Sequence, residues 1–465
     1  MTITNITRVS TAADGTQGNG NSSKPVFSPD GTKVAFYSAA TNLVPGDTNN
    51  AGDVFVKTLA TGAIERISTD ATGTQGTSDS FDPVFSPDGT KVAFQSFASN
   101  LVAGDTNGRA DIFVKDLTTG AISLVSTNSS GTQGNSHSGF PVFSPDGTKV
   151  AFHSSASNLV PGDTNSVDDI FVKDLATGTI ERVSTNSSGT QGNSHSDFPV
   201  FSPDGNKVAF YGGATNLDPI PDANGGPDIF LKDLITGTST RISTNASNTP
   251  GNGFGSEHPI FSPDGTRVAF DSRSTNLVPA DTNNASDIFV KTLATGAIER
   301  ISTDASGTQG NSYSYNPVFS PDGTKVAFNS YASNLVAGDT NGRADIFVKD
   351  LTTGAIERIS TDASGVQGNS NSDHPVFSPD GTKVAFWSDA SNLVAGDTNG
   401  ALDIFVVTLG APAQYSIAAL AADKAEGNAG QTAFTFTVSR TGDVSQEATV
   451  DYAVTSTAAD GTDFA

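Results

Sequence analysis

Short apolar runs alternate with polar turns along this chain, and they do so at a fixed interval. In the stretch from Asp345 to Phe386, Asp-Ile-Phe-Val-Lys-Asp-Leu (345–351) is a β-rich run closed by Thr-Thr-Gly (352–354). Ala-Ile-Glu-Arg-Ile-Ser-Thr (355–361) then alternates apolar and polar positions, the period of a half-buried strand. A polar loop from Asp362 to His374 leads into Pro375-Val-Phe-Ser and the turn Pro379-Asp380-Gly381. There proline suits the second turn position and glycine supplies free φ. Lys383-Val-Ala-Phe is the next strand, and a second long loop reaches Asp403-Ile-Phe-Val. Phe-Ser-Pro-Asp-Gly recurs at Phe27, Phe85, Phe143, Phe201, Phe261, Phe319 and Phe377, in steps of 58, 58, 58, 60, 58 and 58 residues. A repeat of that length is one supersecondary unit stacked on itself. Each unit holds four short antiparallel strands and too few apolar residues for a core of its own. The pattern therefore predicts an all-β fold, a seven-bladed β-propeller in which neighbouring sheets supply each other's core.

The phase of the repeat predicts how the ring closes. The Arg-Ile-Ser-Thr type strand stands at Arg8, Arg66, Leu124, Arg182, Arg241, Arg300 and Arg358. In the six complete units it follows the Asp of Asp-Ile-Phe-Val (Asp-Val-Phe-Val at Asp53) by 13 residues, but after Asp403 the pattern is missing. Residues around 3–11 are expected to supply the outer strand of the blade that begins at Pro375, hiding a raw edge.

Pro-Val-Phe-Ser-Pro-Asp-Gly-Thr-Lys-Val-Ala-Phe followed by Asp-Ile-Phe-Val-Lys-Asp-Leu resembles the WD40-like propeller repeat of the TolB group, over residues 1–409. The resemblance implies a propeller but no single activity, since the group includes periplasmic scaffolds, lyases and gating domains of peptidases. Composition changes at the linker 410–414, Gly-Ala-Pro-Ala-Gln. Residues 415–465, with Glu426-Gly-Asn, Phe434-Thr-Phe-Thr-Val and Gly461-Thr-Asp-Phe, resemble the Calx-β domain. That resemblance implies an immunoglobulin-like sandwich binding Ca²⁺ at one end, with Glu426 and Asp463 at acidic positions of that end. It covers about the first half of such a sandwich, so an incomplete domain within a longer protein is expected.

Charge narrows the partners. The 465 residues carry 25 basic and 49 acidic side chains, a formal net charge of −24. That balance argues against nucleic acid and anionic membrane surfaces and suits cations. With no cysteine, disulfides and thiolate sites are excluded. No apolar run is long enough to span a bilayer, and Met1–Arg8 has no signal-peptide character.

The two hairpin turns of each blade are short and nearly invariant, whereas both long loops emerge at the opposite ends of the strands. The extra residues of the 60-residue step fall there too, which marks a binding face. Two features on it could carry chemistry. The first is Asp-x-Asn-x-x-x-Asp: Asp47/Asn49/Asp53, Asp105/Asn107/Asp111, Asp163/Asn165/Asp169, Asp222/Asn224/Asp228, Asp281/Asn283/Asp287, Asp339/Asn341/Asp345 and Asp397/Asn399/Asp403. Oxygens so spaced suit Ca²⁺, and they equally suit Asx-turns that shape the loop. The second is a ring of side chains that vary between blades, from which Tyr37, Asp79, His137, His153, His195, Tyr211, His258, Tyr313, His374 and Trp387 are candidate ligand contacts. Aromatic and polar groups around a channel mouth suit a glycan or peptide. The expectation is a non-enzymatic, calcium-dependent extracellular or cell-surface module, a monomeric propeller within a longer chain, binding glycan or protein. Its alternatives are a polysaccharide lyase or hydrolase using His137, His153 or His195, and a TolB-like periplasmic scaffold.

Overall fold

The structure, a computed structural model, describes residues 3–220, 224–253, 255–410, 414–419 and 436–441. It contains seven four-stranded sheets, all within the unit Ile3–Thr408 apart from the last residue of one strand. In blade 1 the strands run Ser22–Phe27, Lys33–Ser38, Asp53–Thr58 and Ile64–Arg66, from the inner strand outward. The outer strand is shorter than its alternating pattern predicts, three residues rather than a full run, because the ladder ends where Val54 N–H donates to the Ser68 side chain at 3.2 Å instead of to a backbone carbonyl. Blade 7 consists of Ser372–Phe377, Lys383–Ser388, Asp403–Leu409 and, as its outer strand, Ile3–Arg8. The ring is thus closed by the N-terminal strand. The closing seam repeats the others bond for bond: Val9 N–H donates to Ile404 O at 2.7 Å, as Ile67 N–H donates to Val54 O at 2.7 Å in blade 1.

The core lies between blades. Phe27, Phe36, Leu43 and Phe55 of blade 1 pack with Ala385, Ile404 and Val406 of blade 7, and Ala35, Val54 and Val56 of blade 1 meet Phe85, Phe94 and Phe113 of blade 2. A small alanine facing two phenylalanines lets the sheets interdigitate, and the paired rings sit 6.0 Å apart in blades 1 and 2 alike. Lysines add a polar strap: buried Lys57 donates through Nζ to Thr11 O at 2.6 Å and Ala12 O at 2.9 Å across the closing seam.

Every inner strand carries a bulge. In blade 1, Ser23 pairs with Tyr37 and Val26 with Ala35, so Lys24 and Pro25 oppose the single residue Phe36. The residue before proline takes a positive φ in all seven blades: Lys24, Asp82, Phe140, Phe198, His258, Asn316 and His374, at 49–55°. A side chain in that region costs about 1–3 kcal/mol, and the bulge re-aims it. The proline that follows has no N–H to leave unpaired on an edge strand.

Outside the propeller unit, the described residues form one antiparallel pair, Gln414–Ala419 with Phe436–Thr441. The expected Calx-β sandwich is not confirmed by this pair, and Glu426 and Asp463 lie outside the described residues.

Removing residues 1–8 should lower the melting temperature and promote self-association through the bared edge at Asp403–Leu409. Calorimetry and size-exclusion chromatography read both effects; a variant that melts as the parent does and stays monodisperse would show that the closing strand contributes nothing.

Candidate functional site

The acidic loops have protein partners for their oxygens. Asp53, fully buried, accepts from Ser68 Oγ at 2.5 Å and from Gln75 Nε2 at 3.1 Å, while Gln75 Nε2 also donates to Asp47 Oδ1 at 2.7 Å. Arg66 lies 3.5 Å from Asp53 and 3.9 Å from Asp47. Asn49 donates to Gly76 O at 2.7 Å and accepts Ala51 N–H at 2.9 Å, closing an Asx-turn. The same carboxylate pair with its arginine and glutamine recurs at Asp163/Asp169, Asp281/Asp287, Asp339/Asp345 and Asp397/Asp403.

The asparagines of these loops repeat the Asx-turn and its strap to the next connection. Asn165 donates to Gly192 O at 2.8 Å, Asn283 to Gly310 O at 2.7 Å, Asn341 to Gly368 O at 2.8 Å and Asn399 to Gly18 O at 2.7 Å. Their amide oxygens, the atoms expected to face a cation, instead accept the N–H two residues on. Asn165 takes that of Val167 at 3.2 Å, Asn283 that of Ala285 at 2.9 Å, Asn341 that of Arg343 at 2.8 Å and Asn399 that of Ala401 at 2.9 Å. Asn165, Asn283, Asn341 and Asn399 thus each have a backbone partner at both ends of the amide and shape the loop; the second lone pair of each amide oxygen is not used by these bonds. In blade 4 Asp222 is outside the described residues, Asn224 donates to Gly251 O, Asp228 pairs with Arg241 at 3.3 Å, and proline (Pro250) replaces the glutamine. In the blades that carry the arginine, the guanidinium supplies the positive charge beside the two carboxylates. In blade 2, Leu124 stands in the arginine position beside Asp105, Asn107 and Asp111.

A cavity of about 350 Å³ opens on the axis, lined by the bulged residues of all seven inner strands. Its ring is chemically divided. Phe140 and Phe198 have ring centroids 4.1 Å apart, with Lys24 Nζ 5.5 Å over Phe140. On the polar side, Lys24 Nζ meets His374 Nε2 at 3.0 Å, and Asn316 donates to Asp373 Oδ1 at 3.0 Å. His258 belongs to a cluster with Glu257 and Asp271, whose ligand atoms all lie within 4.8 Å of one another. Its Nδ1 is 2.7 Å from Asp271 Oδ1. Across the phenylalanines, His153 Nδ1 pairs with the Asp197 carboxylate. His153 and His258 are joined through ring contacts, His153 to Phe140 at 5.4 Å and Phe198 to His258 at 5.1 Å. Gly139 makes room for His153 as it is placed: a Cβ there would come within 2.6 Å of His153 Nε2 and 2.7 Å of Gln95 Oε1, and those side-chain ends would have to shift.

Charge state follows from these partners. Burial opposes protonation of His258, but the hydrogen bond and charge of Asp271 override it and raise its pKa above the usual value; Asp197 does the same for His153. His374 is lowered, by burial first and then by the ammonium of Lys24 against the pull of Asp373. Burial pushes the carboxyls of Asp53 and Asp287 up to about 6 against their serine donors.

The other expected contacts divide. Asp79 accepts Gly52 N–H at 2.6 Å and His137 Nδ1 faces Ala110 N–H at 3.3 Å, so both brace a neighbouring loop. Tyr37 stacks on Phe81, Trp387 on His374, and His195 sits edge-on to Tyr211. Tyr313 stays exposed beneath Arg273 at 5.3 Å. His137, His153 and His195 are not gathered into one cluster; among the described residues the acid–imidazole group is Glu257, His258 and Asp271. Sequence reading missed Glu257, Asp197, Lys24, Asp82, Phe140, Phe198 and Asn316. The available signal was the variable residue before each Pro-Val-Phe or Pro-Ile-Phe.

No family model matches the chain. An uncharacterized protein of Agrobacterium fabrum, Atu1656, is 28% identical over 159 residues, which is 34% of this chain and 46% of that protein; the match spans less than half of the relative. Two solved propellers superpose over 87% of this chain and 93% of their own, each at 17% identity: an oligogalacturonate lyase in complex with manganese, at a TM-score of 0.53, and the oligogalacturonate lyase of Vibrio parahaemolyticus, at 0.54. TolB of Acinetobacter baumannii matches 73% of this chain and 81% of its own at 19% identity, with a TM-score of 0.38. The two lyase likenesses show the fold. The expectation of a non-enzymatic module is nonetheless corrected: the Glu257–His258–Asp271 cluster, whose His258 lines the axial cavity, resembles an active site, and the two propellers that superpose over 87% of the chain are lyases. Calcium fares no better at this cluster, since nothing in an imidazole with two carboxylates selects it over a transition metal.

Two titrations test the site. In an NMR titration, the His258 ring should show a midpoint above the ordinary 6.5 and His374 one below it, and Asp271→Asn should bring the His258 midpoint down. Stability should also peak in mild acid. Asp53 and Asp287 hold protons more tightly when folded, so stability rises as pH falls from 7 through about 6. Asp30, Asp88, Asp264 and Asp380, held at about 2 chiefly by serine hydroxyls, give stability that is lost between their ordinary 3.8 and 2. Melting temperature measured against pH is expected to be highest near about pH 4–5.

Proposed function

We propose that the long-loop face carries a metal-assisted lyase site for acidic oligosaccharides. The Glu257–His258–Asp271 cluster, whose His258 lines the axial cavity, carries this reading. Its donor set, one imidazole nitrogen and two carboxylates, fits Mn²⁺ or a similar first-row ion. Bound there, such an ion would neutralise the carboxylate of a uronate and acidify the proton beside it.

The chain's own residues supply the remaining chemistry. His153, oriented by Asp197 through Nδ1, would in its neutral form take at Nε2 the proton α to the uronate carboxylate; the C–H electron pair forms the C=C bond, the C–O bond to the leaving sugar breaks, and the departing oxygen takes up a proton from solvent. Its partner carboxylate then stabilises the imidazolium that forms. Phe140 and Phe198 form an apolar wall of the cavity and touch both groups, Phe140 at His153 and Phe198 at His258. Exposed Tyr313 and Tyr331 offer flat faces for sugar rings, and Arg273 offers a cation to a further carboxylate. The fold shared with the two lyases is consistent with this reading, as is a location outside the cytoplasm, where such polymers are met. No helix among the described residues is long and apolar enough to cross a membrane.

Oligogalacturonate incubated with the protein and Mn²⁺ should give an unsaturated product, followed by its ultraviolet absorbance, and EDTA should stop the rise. His153→Ala and Glu257→Gln are each expected to lower the rate by about 10²-fold or more. Turnover that survives His153→Ala, or no turnover on any uronate polymer with Mn²⁺ present, overturns the assignment.

A further inference from the structure

Five arginines neutralise five carboxylate pairs on the outer part of the ring, and in blade 2 the arginine is missing. There the strands are Ser80–Phe85, Lys91–Ser96, Asp111–Asp116 and Ile122–Leu124, and Leu124 occupies the register position of Arg66 and Arg300. The acidic residues are retained. Asp111 is fully buried and Asp105 is 7% exposed, yet among the described residues neither has an ion-pair partner.

The carboxylates of blade 2 keep every other bond of the cluster. Gln133 Nε2 donates to Asp105 Oδ1 at 2.7 Å and to Asp111 Oδ2 at 2.8 Å, and Ser126 Oγ donates to Asp111 Oδ1 at 2.5 Å. Asn107 turns to donate to Asp111 Oδ2 at 2.9 Å, a contact that partly replaces the guanidinium. Asp105 Oδ2 is left buried with no hydrogen-bond partner. In blades 1 and 5 the equivalent atoms, Asp47 Oδ2 and Asp281 Oδ2, face arginine at 3.9 and 3.7 Å. Asp339 Oδ2 is also without a hydrogen bond, but its other oxygen lies 3.7 Å from Arg358. Blade 2 alone among the described pairs thus combines two buried carboxylates, an orphaned oxygen and no cationic side chain.

A third oxygen is expected at the same place. Where arginine is present, its guanidinium also reaches the backbone carbonyl just before the first aspartate: Gly162 O at 3.4 Å, Ala280 O at 3.5 Å and Gly396 O at 3.5 Å. The corresponding carbonyl in blade 2 is that of Gly104.

We propose that blade 2 binds a hard divalent cation of the Ca²⁺ class in the place of the missing guanidinium, held by Asp105, Asp111 and the Gly104 carbonyl. Carboxylate and carbonyl oxygens with water completing an irregular shell suit Ca²⁺, whereas Mg²⁺ demands near-octahedral order. The site is separate from the axial cluster, which has an imidazole donor and lies in blade 5.

The test compares the full chain with Leu124→Arg, which restores the residue of the other blades and so should fold. Calorimetric titration with CaCl₂ is expected to show one site of about 10⁻⁴–10⁻³ M in the parent, unchanged in Glu257→Gln and absent in both Leu124→Arg and Asp105→Asn. Ca²⁺ should raise the melting temperature of the parent saturably and leave that of Leu124→Arg unmoved, while Leu124→Arg without Ca²⁺ should melt above the Ca²⁺-free parent. Equal Ca²⁺ binding by parent and Leu124→Arg overturns the proposal, as does a parent that responds only to Na⁺ or K⁺.

Discussion

A buried aspartate at the start of the third strand of each blade organises this molecule. Asp53, Asp111, Asp169, Asp228, Asp287, Asp345 and Asp403 are all 0–1% exposed. A carboxylate in that position is costly unless it is fully bonded. Its donors come from elsewhere in the chain: a serine just past the outer strand and, in most blades, an arginine within it and a glutamine on the way to the next blade. Satisfying one side chain therefore fixes the path of the outer strand and the connection that follows. The same demand draws the N-terminus home, because the donors to Asp403 are Arg8, Ser10 and Gln17.

The scaffold and the chemistry are kept on different residues. Apolar seams and acidic clusters repeat with little change, while the bulged inner-strand residue is lysine, aspartate, phenylalanine, histidine or asparagine according to the blade. That position has no core neighbour to satisfy, only a strained backbone held by flanking pairs such as Ser22–Ser38 and Val26–Ala35. Diversity is therefore concentrated at the axis, where seven side chains of differing chemistry meet without disturbing the seams.

Much of the fold was legible in the sequence because it is stated seven times. The phase of Arg-Ile-Ser-Thr relative to Asp-Ile-Phe-Val even located the closing strand. The bulge was not legible, since a residue before proline is ordinarily extended, and the strand read as beginning at Pro375 rather than Ser372. That one misplacement hid Lys24, Asp82, Phe140, Phe198 and Asn316. The acidic loops were ambiguous for a different reason. Asp-x-Asn-x-x-x-Asp offers the same oxygens to a cation as to an arginine and a glutamine, and those partners stand 13 to 28 residues away in blade 1 and at the opposite end of the chain in blade 7. Glu257 and Asp271 are cross-strand neighbours, a relation that only the register reveals.

The offset between the repeat and the blade has a consequence for how such a ring changes size. Because Ile3–Arg8 completes blade 7, every joint in the circle, including the one between the two chain ends, is chemically the same joint. Gain or loss of one whole 58-residue unit leaves all remaining joints as they were and alters only the girth of the axial opening. Duplication is thus a ready evolutionary step for this architecture, and the step resizes the ligand cavity before any of its residues has mutated.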